Sequence, residues 1–391
     1  MKFVSVVKSI RGYFSHNDFL FLLILFFVWR IYLLAELSFS GSILPLQNHF
    51  LGGGMKNYLT APYMWGLANF DGEHFIAIAK FGYQPLTYFF FPLYPMLISL
   101  TTDLVGKTEA GYLFSGLFIS NLSFLFAIFG LWKLLLLDNK RYTVLLTTSI
   151  LLLFPTSFYF VTVYSESLFL LLVVWSFYFA RKQNWALASI LALLATGTRV
   201  IGIVMLPALI CEYLLQTRKF KISSLILLFI PMGLVAYMIF LQNKTGDPLT
   251  FLHSVEIYGP QRSSTFILLP QVFYRYIFKI LPGVGFSYWP VTLITWLEFI
   301  IGVSLLIISL ISFVKIRLSY AIYLFGGYII PTLSGSFSSL PRYSIVLFPA
   351  FLAVALAIKK LPKPIALLLI LSAMFLLTIT QTLFLRGYWV S

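Results

Sequence analysis

The stretch "FFFPLYPMLISLTTDL", Phe89 to Leu104, decides how this chain is threaded. It is apolar, yet it falls short of the roughly 20 residues that carry a helix across a bilayer. It also holds Pro92 and Pro95 and runs into the polar "TTDLVGKTE". The reading is a helix that lies in the membrane interface or re-enters from one side. If the stretch crossed fully, every later basic cluster would change sides.

The rest of the chain makes that choice matter. Of 391 residues 60% are hydrophobic and 10% charged, against about 25% charged in a soluble domain. Apolar runs fall near 17–37, 110–137, 143–163, 165–181, 184–198, 200–216, 222–242, 288–314, 318–333, 343–358 and 364–385. The expected fold is therefore an all-α polytopic membrane protein with about 11 transmembrane helices, one integral membrane domain over 1–391. With 89–104 not crossing and the N-terminus inside, the tight basic clusters share one face. They are Lys2, Lys8 and Arg11; Lys133, Lys140 and Arg141; Arg181 and Lys182; Arg218, Lys219 and Lys221; Lys315 and Arg317; and Lys359, Lys360 and Lys363. Short cytoplasmic loops collect such residues. The other, extracytoplasmic face receives the first large loop, 38–109, with its interfacial helices, and a second large loop, 243–287.

A net charge of +15 raises nucleic acid as a partner, but the basic residues come in small clusters between apolar runs, and membrane orientation accounts for them. The single cysteine, Cys211, rules out an internal disulfide and a cysteine-rich zinc site. The apolar run Phe19 to Leu34 is too long for a signal-peptide core and is read as a retained first span.

Nearly all the polar residues that orientation leaves unexplained lie on the extracytoplasmic face. Asp71, in "NFDGEHF", precedes apolar residues at helical spacing and reads as a helix N-cap, as a proton acceptor for a hydroxyl, or as both. His74 shares its face at i+3, whereas Glu73 points elsewhere. The three could also hold a divalent metal, a weak signal without further ligands; no other cofactor is called for. Tyr94 sits in the rigid "FFFPLYP" bend and Glu166 in the turn "YSES". Arg199 in "GTRVIGI" and Arg342 in "SSLPRYSIVLFP", with Tyr343 beside it, stand where charge is rare. Two arginines on the Asp71 side fit an anionic ligand, phosphate above all.

Taken in order, "FDGEHFIAIAKFGY", "FFFPLYPMLI", "YSESLFLLL", "GTRVIGI", "SSLPRYSIVLFPAF" and "FLRGYWVS" make the chain resemble a PIG-V-type mannosyltransferase, the GPI mannosyltransferase II family of the GT-C superfamily. The resemblance implies a GT-C-type bundle and a glycosyltransferase whose active site is built on the first extracytoplasmic loop. It also implies a polyprenyl-phosphate-linked donor sugar, usually mannose. Asp71 falls at the family's catalytic aspartate, and Arg199 and Arg342 match arginines of its later motifs. Phe70 replaces the family's tryptophan, and "RVIG" at Arg199 to Gly202 replaces "RSNG". Together with the compact loops this points to a prokaryotic plasma membrane and to an acceptor other than a GPI intermediate, either a glycolipid or a surface glycan.

The expected chemistry is inverting. Asp71 acts as base, Arg199 and Arg342 take the donor phosphate, and Glu73, His74, Tyr94, Glu166 and Tyr343 contact substrate. The rival class is a multi-pass transporter or flippase of lipid-linked saccharides. Such a protein would place its charges near the midplane and often show two related halves.

Overall fold

The computed structural model describes residues 18–48, 54–219, 221–258 and 261–390; Lys2, Lys8 and Arg11 lie outside them. The described residues form no β-strand, only an isolated parallel bridge between Ile267 and Ser334. In chain order the helices used below are α1 Asp18–Ile43, α2 Asp71–Phe81, α3 Leu93–Val105, α4 Glu109–Leu135 and α5 Arg141–Leu152. There follow α6 Glu166–Arg181, α7 Trp185–Thr196, α8 Met205–Thr217, α9 Met232–Thr245 and α10 Trp289–Lys315. The last are α11 Leu318–Thr332, α12 Leu340–Ser344, α13 Phe348–Ile358 and α14 Lys363–Leu385.

Among the described residues, six helical stretches are long and apolar enough to cross a membrane: 18–43, 109–135, 200–217, 224–245, 286–315 and 363–385. Shorter apolar helices, among them α3, α5, α7 and α13, complete the bundle. The structure thus shows an all-helical, multi-pass architecture, and helix length alone does not reach eleven spans. The run 143–163 shows why: α5 stops at Leu152, and the backbone continues past Pro155 as a 3-10 turn, Ser157–Val161. Twelve helical residues rise about 18 Å, well short of a hydrocarbon core of about 30 Å. Hydropathy sees the apolar run but not the break within it.

The tightest seam joins α4 to α6. The buried face of α4 carries Gly116, Ser120, Ser123, Ala127 and Gly130, small residues that let helices approach closely where no water drives them together. At Gly130 an added Cβ would sit 2.6 Å from the Trp175 Nε1 of α6, and that same nitrogen donates to the Phe126 carbonyl at 3.0 Å. Thr108 caps α4 by accepting from the Gly111 amide.

α6 runs between two polar regions, rising about 24 Å over its length. At its C-terminal end Arg181 pairs with Asp138 and lies 3.5 Å from Glu212, a fully buried carboxylate. Arg317 meets Glu212 through Nε and Nη2 at 2.6 and 2.7 Å, and Ser319 and Gln216 donate to it as well. This network ties the basic turns around 138, 181 and 317 to one end of the bundle. The N-terminal end of α6 opens on the cavity described next.

Candidate active site

Helices that stop short leave a cavity of about 360 Å³. Its wall is the chain just beyond their ends: Tyr164 to Glu166 at the start of α6, Thr198 to Ile201 after α7, Ile330 to Ser334 at the end of α11, and Arg342 and Tyr343 on α12. Phe89, Phe90 and Phe91 and the loop residues Phe251 and Phe266 supply an apolar side. The volume falls within the roughly 300–1,000 Å³ usual for small-molecule sites.

Asp71 is buried on the cavity wall. It occupies the first position of α2 and caps no backbone amide; Phe70 stands in the cap position. The N-cap reading of Asp71 therefore gives way: its Oδ2 accepts instead from Arg342 Nη1 at 2.5 Å. The chain enters α2 through Phe70 at φ 59°, an uncommon conformation for a non-glycine residue. Side chains and the C-terminal segment hold it there. The Phe70 ring packs on Phe384 and Trp389, Asn69 Nδ2 donates to the Phe384 carbonyl, and Tyr164 Oη donates to the Asn69 carbonyl. Tyr159 Oη in turn donates to the Val390 carbonyl at 2.5 Å. The "FLRGYW" segment is thus the brace behind Asp71.

Arg342 is held by Asp71 and by three tyrosines, while its Nε is buried without an aligned acceptor. Its guanidinium lies 5.1–5.5 Å from the ring centres of Tyr159, Tyr164 and Tyr343, an aromatic cage for a cation. Its Nε is 3.6 Å from Glu166 Oε1. Glu166, 1% exposed, also has Arg199 Nη1 at 2.7 Å, yet neither of its oxygens receives an aligned hydrogen bond. Arg199 donates to Ser165 Oγ and lies 5.1 Å from the Tyr343 ring, so that ring is shared by two guanidiniums. The charges alternate in one chain: Asp71, Arg342, Glu166, Arg199. Gly202 makes the turn carrying Arg199 possible, since a Cβ there would come within 2.7 Å of the Ala195 and Thr196 backbone.

Five of the residues singled out from the sequence, Asp71, Glu166, Arg199, Arg342 and Tyr343, line this one cavity. Three do not. Tyr94 is fully buried and hydrogen-bonds to the Gly116 carbonyl and to Ser120 Oγ, which donates to the Tyr164 carbonyl, so it supports the cavity wall from behind. His74 stacks on Phe90, and burial holds it below its ordinary pKa against the pull of Asp71. Glu73 turns to the Gly54 amide, where a Cβ on residue 54 would be 2.3 Å from its Oε1. Asp71, Glu73 and His74 therefore diverge, and among the described residues no group of three or more His, Cys, Asp or Glu could hold a metal.

Burial lifts Glu73 to about 7, with the Gly54 amide pulling the other way. A carboxyl raised in the folded state contributes stability in full below its unfolded value, near 4.5, and that contribution is lost as pH rises through 7. Glu73→Gln is accordingly expected to gain on wild type across this window, by on the order of 2 kcal/mol. Thermal unfolding in detergent from pH 4 to 8 tests this, and parallel profiles for the two proteins would refute it.

One cavity residue carries no mark in the sequence patterns above. Arg262, from "YGPQRSST" in the second large loop, lines the cavity at 8% exposure. Its Nη2 donates to Ser339 Oγ at 2.8 Å and more distantly to the Ser338 carbonyl, while its Nε is buried without an acceptor. The hydroxyl run beside it, Ser263 to Thr265, was the available signal.

The helical bundle thus encloses one cavity lined by paired acidic and basic side chains and by aromatic rings. The chain belongs to the mannosyltransferase (PIG-V) family, whose model matches residues 10–333, and is accordingly a membrane glycosyltransferase. Asp71, Glu166, Arg199 and Arg262 lie within the matched region; Arg342 and Tyr343 lie beyond it. Comparison with curated proteins and with solved structures produced no match.

Proposed function

We propose that the protein transfers mannose, with inversion, from a polyprenyl-phosphate donor to a glycolipid or surface glycan on the extracytoplasmic face. The observation that carries this reading is Asp71 on the wall of a cavity lined by both guanidiniums and phenylalanines. The family supplies the reaction class. A lipid phosphate departs as an anion and needs no acid, unlike the leaving group in the two-carboxylate arrangement of glycosidases. One base and a cationic environment suffice.

In this mechanism Asp71 takes the proton of the acceptor hydroxyl as that oxygen attacks the anomeric carbon from the face opposite the phosphate. Arg342 holds one carboxylate oxygen of Asp71 and so fixes its direction. Glu166, with no aligned donor on either oxygen, is placed to accept from sugar hydroxyls. The developing phosphate charge is met by the guanidinium cluster, and the prenyl chain leaves along the phenylalanine wall.

The test is transfer by purified protein from radiolabelled polyprenyl-phosphate-mannose to a membrane glycolipid extract, with the product digested by anomer-specific mannosidases. Product of inverted configuration supports the reading. Failure to consume mannose, glucose and arabinose donors alike would remove it.

A further inference from the structure

The arginines that the sequence marks for phosphate are already engaged. Arg342 is bound to Asp71 and close to Glu166, and Arg199 to Glu166. Drawing either onto a phosphate would strand a carboxylate in a site of low dielectric. Arg262 differs. It pairs with no carboxylate among the described residues, while, like Arg342, it is more than nine-tenths buried and keeps a buried Nε–H without an acceptor. Its one strong bond, to Ser339 Oγ, anchors the guanidinium to the residue that begins the α12 turn, leaving the rest of its fork unfilled.

Resting on the reading above, we propose that Arg262 is the residue that grips the donor phosphate, while Arg199 and Arg342 act as positioning residues for Glu166 and Asp71. Three features of the site support this. Asp71 and Glu166 pair with Arg342 and Arg199, whereas no described carboxylate lies within ion-pair distance of Arg262. The hydroxyl-rich Ser263 to Thr265 segment and Ser338 border Arg262 on the cavity wall, the kind of neighbours that share a phosphate's oxygens. The guanidiniums of Arg199 and Arg342 also converge on this wall, each 5.1 Å from the ring centre of Tyr343.

The measurement is direct binding, separate from turnover: the affinity of geranylgeranyl phosphate against that of the matching alcohol, for wild type, Arg262→Gln, Arg262→Lys and Arg199→Gln. Wild type is expected to prefer the phosphate by about 100-fold, the scale set by losing one well-placed oxyanion donor. Arg262→Gln should bring that preference to within a few-fold without weakening the alcohol. Arg262→Lys should keep part of it, and Arg199→Gln most of it. A full phosphate preference in a folded Arg262→Gln protein overturns the proposal, as does its loss in Arg199→Gln alone. If Arg262→Gln fails to fold, the Arg262→Lys and Arg199→Gln pair decides by the same comparison. Wild type that binds both lipids equally would instead remove the polyprenyl-phosphate reading itself.

Discussion

Asp71→Asn is expected to slow transfer by roughly 10³-fold, within the range that a positioned general base contributes, while the protein stays folded. Asparagine keeps the size of the side chain and an oxygen to accept from Arg342, so the loss of stability should be modest, about 1–2 kcal/mol. The brace behind the residue does not involve its carboxylate. Phe70 still packs on Phe384 and Trp389, and Asn69 still holds the Phe384 carbonyl. Donor binding should therefore survive, and the loss should fall on kcat more than on KM. The assay is radiolabelled mannose transfer at saturating donor, with thermal unfolding as the fold control. Transfer close to wild type would mean that the proton goes elsewhere.

Arg342→Gln should produce the largest loss of stability. It removes the cation that Asp71 and Glu166 share and empties a cage of three tyrosines. Breaking a buried pair from one side costs about 3–5 kcal/mol, and transfer should fall below detection. Part of that energy is the stranded charge of Asp71, so the double variant Asp71→Asn with Arg342→Gln should regain stability relative to Arg342→Gln alone, without regaining activity. Thermal unfolding of the four proteins in the cycle isolates the coupling. If Arg342→Gln melts with wild type, or the two changes simply add, the pair does not hold the site together.

These expectations show which parts of the molecule can be read from its residue order. In a chain so poor in charge each ionisable residue stands out, and Asp71, Glu166, Arg199 and Arg342 could be singled out for that reason alone. Their pairing could not. Asp71 and Arg342 are 271 positions apart, and only the closed bundle shows that they meet and neutralise each other. Nearness along the chain misled in the opposite direction. Glu73 and His74 adjoin Asp71, but the first turn of α2 sends one to the Gly54 amide and the other onto Phe90. Tyr94 has the right character for a pocket wall, yet its bend turns it inward behind Tyr164. Arg262 passed unmarked because an arginine among serines and threonines in a loop looks like any exposed one. Its burial comes from the loop folding back over α12. The helices were legible as apolar runs, while their ends, which make the cavity, depended on local breaks such as Pro155.

The unpaired cation Arg262 bears on the whole cycle of the proposed reaction. A sugar phosphodiester would carry one negative charge and so offset it. In the proposed transfer the acceptor's proton would pass to Asp71 as the departing lipid phosphate gained a second negative charge, leaving the net charge unchanged. No charge has to be created or removed in a greasy, water-poor space while bonds are changing. The imbalance is deferred to departure. The dianion of a phosphate monoester takes up a proton near pH 6, so in this scheme the spent lipid would leave as a monoanion by carrying off the proton that Asp71 collected. Emptying the site and resetting its base then become one event.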